Sequence, residues 1–183
     1  MYEYESDEFI VGRVLDGNTD EYAKIVGRYQ EPLLRYVRRI VFDSEVAPDI
    51  VQNAFISAYT SLRSFNTKKK FSSWLYRIAH NEAVNYIRKN RRQFVPRKEQ
   101  WWDNIADEKQ PAADRLDGEL KRRWLRQALA GLPLKYRSPL ILHVYEKKSY
   151  QQISEILRLH PSTVGVRINR AKAILKKRLE EKA

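Results

Sequence analysis

Apolar residues along this chain recur every three or four positions and seldom alternate, which predicts helices rather than strands. Asp7–Asp16 reads as a short helix that stops at Gly17. Asn18 or Thr19 then caps a second helix, with Asp20 and Glu21 in its first turn, where carboxylates complement the dipole. It is expected to run to Val41, bent or interrupted at Pro32. A third helix starts at Asp43 or Ser44 with Pro48 early in it, and turns Ile50, Val51, Ala54, Phe55, Ala58 and Leu62 inward. Asn66-Thr67 punctuates, and a fourth helix follows over Phe71–Arg92. Periodicity is lost from Gln93 to about Asp117, where Pro96, Pro111 and Trp101-Trp102 lie. It returns in Leu116–Gly131, with Leu120, Trp124, Leu125, Ala128 and Leu129 inward, then in Pro133–Tyr145, Lys147–Leu159 and Ser162–Glu181. The expected fold is all-α: two small helical domains, 1–93 and 118–183, joined by an irregular linker, 94–117.

Two of these helices have polar faces that packing does not explain. On the helix from Phe71 to Arg92, Phe71, Leu75, Ala79, Ala83 and Tyr86 share an inward face. Lys70, Trp74, Arg77, Asn81, Asn85, Arg88 and Arg92 form a second stripe. Cations suit phosphates, amides suit base edges and an aromatic ring suits an unstacked base. The plainer alternative is a solvated basic face with a tryptophan half sunk in the core. The second candidate, SYQQISEILRLHPSTVGVRINRAKAILKKRL, has helix-turn-helix character. Its first helix buries Tyr150, Ile153, Ile156 and Leu157. After the break Leu159-His160-Pro161, Ser162 caps a helix with Val164, Ile168, Ala171 and Leu175 on one face. Ser162, Thr163, Val166, Arg167, Asn169 and Arg170 then occupy the positions from which a recognition helix reaches base edges. The usual turn glycine is replaced by Arg158, and an ordinary helical hairpin with a wet basic face is the alternative.

Charge sharpens this picture. The 183 residues carry 35 Lys+Arg against 23 Asp+Glu, a formal charge of +12, which favours a polyanionic partner. Residues 68–98 hold 10 basic side chains and 1 acidic, residues 99–120 hold 7 acidic and 2 basic, and residues 158–183 hold 8 basic and 2 acidic. Two basic surfaces are thus separated by an acidic spacer, an arrangement that solubility alone does not require. Within the spacer, Trp101-Trp102 either docks on a neighbouring module or inserts into a partner's channel.

Several classes are excluded. With no cysteine there is no disulfide framework and no thiolate metal site, which fits a cytoplasmic location. The acidic opening MYEYESDEFI is no signal peptide, and no run approaches ~18 apolar residues, so no membrane insertion is expected. His80, His143 and His160 are scattered without metal-ligand spacing, and His143 reads as a core or edge histidine. Ser72, Ser73 and Ser149 are explained as helix-start caps. No catalytic constellation and no cofactor-binding loop is present, so an enzyme is not expected.

Three blocks, DIVQNAF at Asp49–Phe55, FSSWLYRIAHNEAVNYIRKNRR and SYQQISEILRLHPSTVGVRINRA, resemble in order the motifs of bacterial extracytoplasmic-function sigma factors. DGNTDEYAKIVGRY is similar to that family's opening helix. The resemblance implies two domains, sigma region 2 and sigma region 4, that bind core RNA polymerase and direct it to promoters. It implies that Asp49 and Gln52 contact the clamp helices of the largest polymerase subunit. It also implies that the Trp74–Arg92 helix melts and reads single-stranded −10 DNA, and that the Ser162–Arg170 helix reads the −35 duplex. By the same resemblance the linker threads toward the active-site and RNA-exit channel, and an anti-sigma factor covers both modules. The chain departs from the family at Asn85, usually aspartate, at Pro48, usually glutamate, and at Ser162 and Gly165, usually glycine and lysine. The competing reading is an autonomous helix-turn-helix regulator. It leaves the Trp74 stripe and the DIVQNAF block unused.

Overall fold

A computed structural model describes residues 5–90 and 124–180. Every described element is helical: α1 Asp7–Leu15, α2 Tyr22–Val41, α3 Ala47–Thr60, α4 Phe71–Lys89, α5 over 124–130, α6 Leu134–Val144, α7 Tyr150–Leu157 and α8 Pro161–Glu180. Single 3₁₀ turns precede α2 and follow α3.

Local sequence sets most of the boundaries. The Ser6 side chain accepts from Phe9 N–H at the start of α1, and Gly17 leaves that helix at φ 105°, a conformation open to glycine. Thr19–Glu21 forms the 3₁₀ turn, so α2 proper begins at Tyr22. Pro32 does not interrupt α2. A proline forfeits one intrahelical bond, and the buried face of Ile25, Leu33, Tyr36, Val37, Ile40 and Val41 holds the helix together across it. The third helix starts at Ala47 rather than at Asp43 or Ser44. The Asp43 carboxylate instead accepts from the Glu45 and Val46 N–H groups in a turn before the helix.

α2, α3 and α4 pack as a bundle, with α1 lying against α2 and α4. Phe71, Leu75, Ala79 and Ala83 are buried as their spacing predicts, while Tyr86 lies partly open. Neither Ser72 nor Ser73 caps α4. The residue before the helix, Lys70, has no capping side-chain bond, and the Glu8 carboxylate of α1 accepts from Phe71 N–H at 2.9 Å. Asp7 beside it accepts from Tyr29 and pairs with Arg28. His80 of α4 meets the buried hydroxyl of Tyr36, 2.9 Å from its Nδ1. Burial lowers the His80 pKa from 6.5 to about 4. Between those values the unfolded chain binds a proton that the folded one does not, so stability is lost as pH falls. Urea unfolding of wild type between pH 7 and pH 4.5 should therefore lose about 2 kcal/mol more than the His80→Gln protein loses. Equal losses would show that His80 is not held neutral.

In the second half, Ser149 and Gln152 cap the start of α7 reciprocally, and Arg158 ends that helix in the left-handed region at φ 52°. Pro161, not a Ser162 cap, opens α8, where its missing N–H costs nothing. The Ser162 hydroxyl instead pairs with His160 Nδ1 at 2.8 Å. α8 buries Val164, Ile168 and Ala171 against α6 and α7. Ile153 and Ile156 are buried, but Tyr150 is exposed and Leu157 and Leu175 only half-buried. On α5, Ala128 and Leu129 are buried, Trp124 is half-buried and Leu125 is 40% exposed, so the inward face is narrower than the sequence suggests. Leu120, Trp101, Trp102 and the linker lie outside the described residues.

The two modules are in contact. α4 packs on α7 and α2 on α6, and one apolar core runs through both.

Candidate nucleic-acid interface

The stripe on α4 forms as its spacing predicts. Lys70, Asn81 and Arg88 are exposed, while Trp74, Arg77 and Asn85 are half-buried. Arg92 lies outside the described residues. Trp74 is anchored on one side by Phe65 and Phe71, whose ring centroids lie 5.4 and 5.6 Å away. The Trp74 ring is thus half sunk in the core, and its remaining surface stays on the stripe. Asn85 accepts from Arg88 at 3.3 Å, which pre-orders the outer end of the stripe. Arg77 has its pKa lowered by burial and then by the charge of Arg158, opposed by Glu155. Lys69, Lys70, Trp74, Arg77 and Arg158 line a cleft of ≈380 Å³ between α4 and α7. The chemistry on offer is phosphate neutralisation, amide hydrogen bonding and one stacking surface.

On α8, Ser162, Asn169 and Arg170 are exposed, Val166 is 68% exposed, and Thr163 and Arg167 are half-buried. Ser162, Val166, Asn169 and Arg170 lie on the side of α8 away from its buried Val164–Ile168–Ala171 face, and Thr163 and Arg167 flank that face. Gly165 sits under the Tyr150 ring, where an added Cβ would come within 3.3 Å of a ring carbon. The missing side chain at this position therefore admits the tyrosine that joins α7 to α8.

A third surface lies on α3. Asp49 and Gln52 are exposed one turn apart. Ile56, 54% exposed, and Tyr59, 42% exposed, continue the same face. The sequence reading missed these two. The signal was there: an isoleucine four residues beyond Gln52 and seven beyond Asp49 falls outside the inward set.

Among the described residues no group of three or more His, Cys, Asp or Glu could hold a metal, and no helix is long and apolar enough to cross a membrane. His143 is half-buried, with Nδ1 3.2 Å from the Lys148 carbonyl and its ring against Tyr150.

Comparison with known proteins identifies both modules. Residues 25–93 match the model of sigma-70 region 2, and residues 122–175 that of sigma-70 region 4. The chain is 32% identical over 179 residues to the ECF RNA polymerase sigma factor SigW of Bacillus subtilis, covering 93% of this chain and 95% of that one. It is 31% identical over 188 residues to the ECF RNA polymerase sigma-E factor of Haemophilus influenzae, covering 98% of each. In fold it is similar to CnrH, solved in complex with the cytosolic domain of CnrY, with TM-score 0.74, 21% identity and coverage of 98% of this chain and 100% of that one. It is also similar to the sigma factor RpoE of Bartonella quintana, solved with the anti-sigma factor NepR, with TM-score 0.67, 22% identity and coverage of 87% and 97%.

Proposed function

Because this chain belongs to the extracytoplasmic-function sigma factors of the sigma-70 family, and so binds core RNA polymerase and directs it to promoters, we propose how its own residues divide that work. The α4 stripe takes the single-stranded −10 element: Lys70, Arg77, Arg88 and Arg92 hold the backbone, Asn81 and Asn85 read base edges, and Trp74 stacks on an extruded base. The α8 face takes the −35 duplex, with Arg167 and Arg170 suited to guanine or phosphate and Asn169 to adenine. Asp49 and Gln52 dock on polymerase, and Ile56 supplies apolar surface beside them. The units are 1–93 and 118–183, with 94–117 as the tether that sets their spacing. The chain is an initiation factor with no turnover of its own, acts in the cytoplasm, and is held in check by an anti-sigma factor. The observation that carries this reading is the juxtaposition on one helix of a half-open tryptophan, two amides and three described cations. Each contact is weak alone, and tethering on one enzyme raises effective concentration.

Run-off transcription from a genomic promoter pool, with core polymerase and with or without this protein, tests the assignment. Promoter-specific transcripts that require the protein, alongside weak electrophoretic binding by the free chain, are expected. Tight, salt-sensitive binding to one duplex site without transcripts would instead identify an autonomous regulator. In the same assay Ile56→Lys should weaken polymerase binding roughly tenfold by placing a charge in the apolar contact. Unchanged affinity would remove Ile56 from that surface.

A further inference from the structure

Four cations gather in the cleft between α4 and α7 with no anion to balance them. Lys69 and Lys70 line it from the segment before α4, Arg77 from within α4, and Arg158 from the end of α7. None of the ion pairs formed among the described residues uses any of the four. Glu155 is the one carboxylate in the lining. Asp7 and Glu8, which share a neighbouring hollow with Lys69 and Lys70, are engaged by Arg28, Tyr29 and the Phe71 N–H. Like charges held this close repel one another unless an anion sits between them.

Two further features open into the same cleft. Ser73 is only 3% exposed, lines the cleft, and has a hydroxyl without a hydrogen-bond partner among the described residues. A buried hydroxyl left in that state is a cost to the fold. It stands in the first turn of α4, where the helix dipole favours negative charge. Arg158 holds φ 52°, in a turn where glycine would carry no strain. An arginine kept at that position sets a second positive charge beside Arg77.

The shape and the chemistry of the lining narrow the ligand. A volume of ≈380 Å³ lies in the range of small-molecule sites, roughly 300–1,000 Å³. The part of Trp74 that is not packed on Phe65 and Phe71 supplies a flat aromatic wall. Four cations against one carboxylate suit a diphosphate, which carries about three negative charges at neutral pH. A purely inorganic anion leaves the tryptophan unused, whereas a base can stack on it.

We propose that this cleft binds a nucleoside diphosphate, with its phosphates held by Lys69, Lys70, Arg77 and Arg158, the Ser73 hydroxyl donating to one of them, and the base against Trp74. Lys70, Trp74 and Arg77 also belong to the stripe assigned above to −10 DNA, so the nucleotide and a −10 strand exclude each other. That consequence rests on the −10 assignment; the site does not.

Calorimetric titration of the free full-length protein with GDP, ADP and inorganic pyrophosphate at 0.15 M salt tests the proposal. One saturable site is expected, with the nucleotides bound about tenfold more tightly than pyrophosphate because of the stack on Trp74. Ser73→Ala should weaken GDP binding roughly tenfold without lowering the melting temperature, since the hydroxyl bonds to nothing in the free fold. Arg158→Gly suits the left-handed turn and should also weaken GDP roughly tenfold. Lys172→Ala, an exposed position on α8 outside the cleft, should change nothing. The site is overturned by absence of saturable binding, or by GDP affinity unchanged in both cleft variants. Should one variant fail to fold, the other decides. A loss in Lys172→Ala as large as in Arg158→Gly would also overturn it, by reducing the binding to general attraction by a chain of charge +12. Pyrophosphate bound as tightly as GDP would take the base off Trp74 and overturn the nucleotide. The titration uses neither polymerase nor promoter, so its failure is distinct from failure of the −10 assignment.

Discussion

Replacing Trp74 with alanine should lower promoter-specific run-off by about ten- to a hundredfold, the loss expected when one base–aromatic stack worth ~1–3 kcal/mol is removed. The effect should fall on open-complex formation and not on polymerase binding, because the surface proposed for polymerase, Asp49, Gln52 and Ile56, lies on α3. Trp74 also packs on Phe65 and Phe71, so the variant also loses apolar contact. A template whose −10 strand is already unpaired separates the two contributions. If Trp74 captures a flipped base, Trp74→Ala remains defective on that template and Trp74→Phe recovers most of the activity. A defect that tracks only the fraction of folded protein would reduce Trp74 to a core residue.

Arg137→Ala should cost about 3 kcal/mol in urea unfolding, the largest stability loss expected from any single polar truncation described above. The guanidinium donates to Ala130 at 3.1 Å and to Ile40 at 2.9 Å, and truncation leaves both carbonyls without that donor. Burial brings the Arg137 pKa down to about 10, so the group still enters the fold charged at neutral pH. Arg137→Lys keeps the charge but offers a single ammonium to carbonyls that lie on two different elements. It should recover less than half of the loss. A penalty under 1 kcal/mol for Arg137→Ala would show that these carbonyls find water without difficulty.

What was legible in the sequence was local. Ser149 followed by Gln152, the break at Leu159-His160-Pro161 and the spacing of Val164, Ile168 and Ala171 define α7 and α8 through interactions within a few residues. The α4 stripe was legible for the same reason, since a helix fixes which side chains share a face. The misreadings arise where a distant or competing partner decides the outcome. Pro32 predicts a bend or interruption in α2, but that helix runs on unbroken, held by what packs against it. Ser72 and Ser73 read locally as caps, but the bond to the first N–H of α4 comes from Glu8. Arg137 sits in a stretch with Lys135 that reads as ordinary surface charge, and only the fold brings it over the Phe42 ring. No local pattern announces that the two modules share one core. That contact depends on pairs such as Tyr76 with Glu146, which are 70 residues apart.

The bond from Glu8 to Phe71 joins residues 63 positions apart. On the ribosome, where the chain lengthens by about 5–20 residues per second, the first helix emerges several seconds before the segment that it caps. At nine residues, α1 is too short to persist alone in water. The earliest-made helix of the N-terminal module first gains support from α2, where Asp7 meets Arg28 and Tyr29. Its Glu8 carboxylate is held for late use: it finds its partner only when α4 arrives, and the basic helix acquires a secured first turn in that event.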